Sequence, residues 1–427
     1  MSRNRVLLLN AASSLLARCV NLGINFIFVP LSISILGVSG YGAISAAISF
    51  STMIAYGDLG LGATLVNIVS RFSKNSVTAE KKHICDNIVS VFFLLCTISI
   101  FLILILSFLK FLFIEDGYIS IVWACLLVAF GIPLSLYQRI LFGLQRSHLS
   151  NAWSTGGKLI SLALIWLASK HLVSNPIGFL IILLGTPALI NIIGSLHTIH
   201  TIKVDFEIKI SNSRPDKVLI KKNLRTGLSY FVLQLVPFIE QGMDVAILSI
   251  YASSVEIATL DIHSKLFMYI PALVSVAAFP LWPAISKAYH EKDNVWANNI
   301  IRFAYFGTIT VTIVLSSLFF INSEIIVTSW VKKELIISES VKLALSIFAV
   351  MSSISLIQSI LLNAKNLVAF QAKFYITYIV ILIIIKIFIG SLLGIQGIVW
   401  AGVVGISTRV VIMEIMSRRM LKLTNEK

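Results

Sequence analysis

Twelve apolar runs of about 20 residues recur along this chain, and no other feature constrains its fold as much. They occupy 12–36, 41–66, 88–109, 120–142, 153–169, 177–199, 227–251, 257–283, 297–322, 343–363, 374–392 and 397–416. About 20 apolar residues wound as a helix cross a hydrocarbon core of roughly 30 Å. In lipid every backbone polar group needs an internal partner, which leaves helices or a closed barrel. Barrel strands would alternate in polarity over about 10 residues each, and these runs do not. Composition agrees. Only 12% of the 427 residues are charged and 57% are hydrophobic, whereas a soluble domain carries about 25% charge. The prediction is an all-α integral membrane protein with twelve transmembrane helices.

The first run imitates a secretory leader, with Arg3 and Arg5 followed by VLLLNAASSLLARC. Arg18 interrupts the apolar stretch and no small-residue cleavage site follows, so the segment is expected to stay as the first helix.

Charge then orients the chain. Twelve spans put both ends on one side of the membrane. The termini and the loops on their side hold 25 Lys and Arg, against 5 on the opposite side. Cationic loops stay in the cytoplasm, so both termini are expected there. In a bacterium this is the inner membrane. The net charge of +15 is a topology signal; a nucleic-acid partner is not expected, because no loop is long enough for a folded basic domain. Cys19, Cys85, Cys96 and Cys125 form no C-x-x-C, and neither a disulfide nor a metal site nor any cofactor is implied.

The longest cytoplasmic connection divides the spans six and six. This predicts an N-terminal lobe over 1–203, a charged linker over 204–226 and a C-terminal lobe over 227–427. Halves of six spans share one orientation, so a repeat between them should be parallel. ILFGLQRSHLSNAW at 140–153 overlays ILLNAKNLVAFQAK at 360–373, and Gly178 falls near Gly397, so the offsets are 220 and 219. Parallel repeats of this kind build transporters, with the substrate path between lobes.

With Arg139, Lys158 and Arg302 counted among the cytoplasmic loop cations, nine charged residues lie inside spans: Arg18, Asp58, Glu240, Asp244, Asp261, Lys265, Lys386, Arg409 and Glu414. Each costs roughly 2.5–3.5 kcal/mol at a helix centre. Glu414 and Arg418 are four apart near the cytoplasmic end, where a local pair and snorkelling explain them. Ser14, Arg18, Asn21 and Asn25 share one face of span one, a stripe that either snorkels or lines a wet cavity. Glu240 and Asp244 are four apart behind Pro237. Either they share a proton as an ion-coupling site, or each pairs with a cation from another span. Asp261 and Lys265, acid first, make a structural intrahelical pair. Lys386 and Arg409 are too deep to snorkel; they await an anionic substrate or the acids of span seven. Asp58 lies in GDLGLG at 57–62, where it either accepts N–H groups of a loosened helix or serves ion coupling.

The run LGVSGYGAISAAISF at 36–50, the GDLGLG that follows and Arg71 leaving the membrane resemble the polysaccharide-exporter branch of the multidrug/oligosaccharidyl-lipid/polysaccharide superfamily. Within it the chain looks most like the Wzx-type O-antigen flippases. Asp58, Leu59, Gly60, Leu61 and Gly62 match the family's second-span motif. The resemblance implies two six-helix lobes of the MATE-like kind that alternate between inward and outward openings. It implies an undecaprenyl-pyrophosphate-linked oligosaccharide as substrate. Membrane lipids, an O-antigen polymerase and a chain-length regulator are the partners it implies. The charge pattern suggests Arg18, Asn21, Asn25, Lys386 and Arg409 for the substrate, with Glu240, Asp244 and Asp58 for the coupling ion. A cation-coupled drug antiporter of the same superfamily shares the architecture. An enzyme is the rival of another class, a polymerase or glycosyltransferase. Its metal–nucleotide site would have to be Asp205-Phe206-Glu207, in a short loop without a catalytic domain, so an enzyme is not expected.

Overall fold

The structure, a computed structural model, describes residues 3–70, 78–112, 116–173, 175–206, 213–278, 281–290, 293–364 and 368–425. Among them regular structure is helical throughout, in two compact units, Met1–Leu235 and Val236–Lys427.

The first unit contains α1 (Arg3–Ala55), α2 (Leu61–Val69), α3 (Thr78–Leu112), α4 (Asp116–Leu134), α5 (Leu136–Gly143), α6 (Ser147–Leu167), α7 (Pro176–Phe206) and nearly all of α8 (Lys217–Pro237). The second contains α9 (Met243–Leu248), α10 (Ser254–Ala278), α11 (Leu281–His290), α12 (Asn294–Val331), α13 (Glu339–Ala364) and α14 (Val368–Asn425).

Nine helical segments among the described residues are long and apolar enough to cross a membrane, and two of these, Ala12–Asp58 and Phe370–Met416, run for 47 residues each. At 1.5 Å per residue each is about twice the length one crossing needs. Each breaks near its middle at a glycine: Gly37 (φ 72°, ψ 176°) and Gly394 (φ 57°, ψ −137°). Side chains are excluded from such dihedrals, so glycine alone turns the chain there without strain. Each long segment therefore supplies two spans. The remaining span is α6, 21 residues long, whose first half is polar (Ser147, His148, Ser150, Asn151) and whose second half is apolar. Twelve spans result, in the places the apolar runs predict.

Helix ends also follow the predicted repeat. In the first unit α5 ends at Gly143, α6 starts at Ser147 and α7 starts at Pro176. In the second, α13 ends at Ala364, α14 starts at Val368 and its second half follows Gly394.

Two spans are less regular than their apolar runs suggest. The second, expected unbroken over 41–66, stops at Ala55, passes through a 3-10 turn at Tyr56–Asp58 and restarts at Leu61. The seventh holds a π-helical turn at Phe238–Gly242, directly behind Pro237. The division between units, at Leu235/Val236, falls inside this span and not in the 204–226 stretch. The reason is that α8 is tied to the first unit: Asn223 Nδ2 donates to Asn87 Oδ1 (3.0 Å), and Asn67 Nδ2 donates to Tyr230 Oη (2.9 Å).

Packing is that of a protein solvated by lipid. In the first unit α1 lies against α4 and α6; in the second α13 lies against α10, α12 and α14. Leu61, Leu65 and Val69 of α2 fill a core with Val91, Leu95 and Leu136. Large apolar side chains such as Phe101, Phe303, Ile321 and Phe388 face outward. Polar ones, including Ser32, Gln358, Lys386 and Arg409, are buried. In a hydrocarbon solvent the side chains that need shelter are the polar ones.

Candidate functional site

The second unit sequesters four of the predicted charges. Arg409 grips Glu240 with two parallel bonds, Nε to Oε1 at 2.6 Å and Nη2 to Oε2 at 2.9 Å. Tyr378 Oη donates to the same Oε1 at 2.5 Å. Arg409 Nη2 also reaches Ser355 Oγ at 2.8 Å, and its guanidinium lies 5.6 Å from the Tyr375 ring centre. Beside this pair, Lys386 Nζ donates to Asp244 Oδ1 and, at 2.6 Å, to the Glu240 carbonyl oxygen. Lys386 has no exposed surface, and Glu240 and Arg409 are each 4% exposed.

Local sequence explains how this cluster fits. Pro237 has no N–H to donate, and the π turn behind it loosens the helical ladder around the Glu240 carbonyl. Gly242 permits the turn, because a Cβ there would sit 2.7 Å from the Phe238 ring. Gly402 lets α14 approach: a Cβ would stand 3.2 Å from Glu240 O and 3.5 Å from Lys386 Nζ.

These contacts select between the alternatives that the sequence left open. Glu240 and Asp244 do not repel each other around a shared proton, since each has its own cation. Lys386 and Arg409 are not held open for a substrate, because carboxylates of their own unit occupy them. Removing one member of such a buried pair typically costs about 3–5 kcal/mol, since the other is left uncompensated. The cluster is thus a rigid internal brace.

Asp58 is likewise committed. Its Oδ1 accepts the Gly60 N–H at 2.9 Å, and Arg139 lies alongside, both side chains reaching the space beside Gly62. Leu59 and Gly60 both have positive φ (47° and 71°), the shape that brings that N–H group round. The carboxylate closes a turn with the backbone two residues on, and α2 begins at Leu61 behind Gly60. Of the two readings of Asp58, the contact with the backbone N–H of a broken helix is the one this geometry displays. The turn presses on α8, where a Cβ at Gly60 would overlap Gly227 O and stand 2.7 Å from Phe231 N.

The stripe on span one is split. Asn21 accepts Lys158 Nζ on its Oδ1 at 3.0 Å and donates to Thr155 Oγ1 at 3.3 Å. Ser14 Oγ accepts from Asn151 Nδ2 at 3.1 Å. Arg18 is half-buried and Asn25 is exposed. The polar face of α1 therefore docks on a polar face of α6. Asn151, Thr155 and Lys158 are site residues that the spans alone did not single out, yet their spacing of four and three places them on one helical face. Among the described residues Lys158 meets an amide oxygen and no carboxylate.

Asp261 and Lys265 form an intrahelical pair at 2.6 Å. Glu414 Oε2 accepts from Gln358 Nε2 at 3.3 Å; the Arg418 side chain, and those of Asp205 and Glu207, lie outside the described residues.

A polytopic helical chain in two units, with its charges turned inward, has the architecture of the membrane transporters of the multidrug/oligosaccharidyl-lipid/polysaccharide superfamily. Residues 7–289 match the polysaccharide biosynthesis protein family, and the chain belongs to that exporter family. Among curated sequences none matches it significantly. Solved structures do. A multidrug-resistance MATE transporter in its inward-facing conformation superposes with a TM-score of 0.69 at 13% identity, covering 96% of both chains. The lipid II flippase MurJ, in an inward closed conformation, gives 0.70 at 16% identity, covering 96% of this chain and 87% of its own. A point mutant of the Vibrio cholerae MATE transporter VcmN gives 0.60 at 14% identity, covering 98% of this chain and 97% of its own. These likenesses establish a common fold.

Proposed function

We propose that the protein flips undecaprenyl-pyrophosphate-linked O-antigen repeat units across the bacterial inner membrane by ion-coupled alternating access, with both termini in the cytoplasm. Membership of a polysaccharide biosynthesis family supports a glycan cargo. The shared fold with a lipid II flippase supports a lipid-linked one. The same fold is seen in inward-facing and outward-facing MATE structures, with TM-scores of 0.69 and 0.66, which supports alternating access.

The observation that carries the reading is Lys158. Lys386 and Arg409 of the second unit are neutralised by carboxylates of that unit, whereas this ammonium, in the middle of α6, is held by the neutral Asn21 amide. A cation at membrane depth without a carboxylate is costly, and a pyrophosphate offers the missing charge. Arg18, one turn before Asn21 on α1, adds to the same positive region.

Complementation tests this. A host lacking its own O-unit flippase should clear its inner-leaflet lipid-linked units when given this chain and the cognate sugar enzymes. Lys158→Ala should cut clearance at least tenfold with normal membrane levels of protein. Full clearance by Lys158→Glu would dismiss the assignment. The MATE likeness keeps a cation-coupled drug antiporter as the second reading; drug resistance on overexpression, with no effect on surface glycan, would favour it.

A further inference from the structure

A groove on the wall of the second unit belongs to none of the charge pairs described above. Helix α13 packs against both α12 and α14. Between those two flanking helices lies a cavity of about 700 Å³. Ile354 and Gln358 of α13 form its floor, and Phe306 and Ile309 of α12 face Val411 and Ile415 of α14 across it. The rims are open, with Phe306 74% exposed and Val411 54%. In a chain solvated by lipid, a groove with such rims opens sideways into hydrocarbon.

One end of the groove is charged. Arg302 of α12 and Glu414 of α14 both line it. Arg302 lies near the start of the apolar run 297–322 and Glu414 near the end of 397–416. Both therefore sit close to the membrane face that carries the chain termini, where lipid headgroups are. Among the described residues Arg302 has no ion pair. Glu414 is held in place from the floor. Gln358, 2% exposed, donates Nε2 to Glu414 Oε2 at 3.3 Å and to the Val410 carbonyl oxygen at 3.1 Å. The bond from Gln358 uses one of about four acceptor positions of a carboxylate.

Behind the charges the walls are apolar. Arg302, Phe306 and Ile309 recur at spacings of four and three, so the cation and the apolar wall share one helical face. From Arg302 to Ile309 the groove follows α12 for about 10 Å at 1.5 Å per residue. One leaflet of the hydrocarbon core is roughly 15 Å deep.

We propose that this groove binds one zwitterionic phospholipid of the phosphatidylethanolamine class, taken from the leaflet on the side of the chain termini. Its phosphate meets the Arg302 guanidinium, its ammonium meets the Glu414 carboxylate, and an acyl chain lies along Phe306, Ile309 and Val411. Charge complementarity selects the headgroup. An anionic phospholipid would satisfy Arg302 but bring its own net charge beside Glu414, and a lipid-linked diphosphate would bring more. A headgroup carrying both signs matches both side chains. The seated lipid joins α12 to α14, so the stability of the second unit depends on bilayer composition. The site lies outside the first unit, which holds Lys158, and does not rest on the cargo.

The test titrates the purified full chain in detergent with dioleoyl phosphatidylethanolamine or dioleoyl phosphatidylglycerol and counts bound lipid by native mass spectrometry. The first phosphatidylethanolamine should bind about fivefold more tightly than the first phosphatidylglycerol, the effect of about one charge at a membrane surface. Arg302→Gln should weaken phosphatidylethanolamine by a similar factor, and Glu414→Gln should reverse the preference. Lys333→Gln, which removes a cation just beyond the opposite end of α12, should change neither affinity. A second readout leaves both charges in place: p-benzoylphenylalanine replacing Phe306 should cross-link phosphatidylethanolamine, and excess phosphatidylglycerol should not compete. Equal affinity for the two lipids, or phosphatidylethanolamine binding indifferent to Arg302→Gln, overturns the proposal. Tighter binding of phosphatidylglycerol, or of a polyprenyl diphosphate, by the unaltered chain overturns it as well and gives the groove to anionic lipids. These readouts involve no transport, so their failure leaves the flippase reading where it stands.

Discussion

Arg409 and Glu240 lie 169 positions apart in the chain and meet through two parallel hydrogen bonds of 2.6 and 2.9 Å, inside a helical unit that excludes solvent. The guanidinium fork matches a carboxylate in plane and spacing. Tyr378 and Ser355 occupy further bonding positions of the pair.

Arg409→Ala should therefore lower stability by about 3–5 kcal/mol, because it leaves Glu240 buried and unpaired. Glu240→Gln combined with Arg409→Met should recover much of that loss. Thermal unfolding of the detergent-solubilised protein reads both. A single mutant that melts like the wild type would show that the pair is not a brace.

Lys386 and Asp244 invite a double-mutant cycle. Lys386→Met and Asp244→Asn should each destabilise, while the double variant should be less harmful than their sum by about 0.5–3 kcal/mol. Strict additivity would mean that the two groups do not interact.

Gly60 and Gly227 should tolerate no side chain. Gly60 has a positive φ of 71°, and a Cβ at Gly227 would stand 2.7 Å from Leu59 O. Backbone cannot step aside as a flexible side chain can. Gly60→Ala and Gly227→Ala are expected to reduce folded protein in the membrane severely, whereas Gly23→Ala, which has open space around it, should not. Equal yields for all three would refute the close approach.

Asp58 distinguishes a turn-closing carboxylate from a coupling one. Asp58→Asn keeps an acceptor oxygen and should retain most transport. Asp58→Ala loses the hydrogen bond to the Gly60 N–H, at about 1 kcal/mol. A coupling carboxylate would predict the reverse emphasis, with the asparagine variant as inactive as the alanine one. Transport and melting temperature, measured on both variants, discriminate between the two.

Much of the fold was legible before any coordinates. The apolar runs at 12–36 and 41–66, and at 374–392 and 397–416, leave only Gly37 and Gly394 with a few neighbours to turn the chain, and the breaks fall there. The four-residue spacing of Asp261 and Lys265 announced their pair, because i and i+4 are neighbours on any helix. The π turn at Phe238–Gly242 was hinted at by Pro237 alone, and the 3-10 break after Ala55 by the glycines of GDLGLG.

Sequence by itself determined the solvent, the number of crossings and which side chains lie at costly depth. All of these follow from local hydropathy and from helix geometry, which act within about 20 residues. Only the tertiary structure decided what those charges do. Periodicity tells which face of a helix a residue occupies, but not which helix that face meets. Glu240 therefore stood open between sharing a proton with Asp244 and pairing with a distant cation until folding brought Arg409 to it, and Lys158 counted as a loop cation until α6 brought it to Asn21. Coulomb energy depends on distance through space, and in a helical membrane protein that distance is set by packing between spans far apart in the chain.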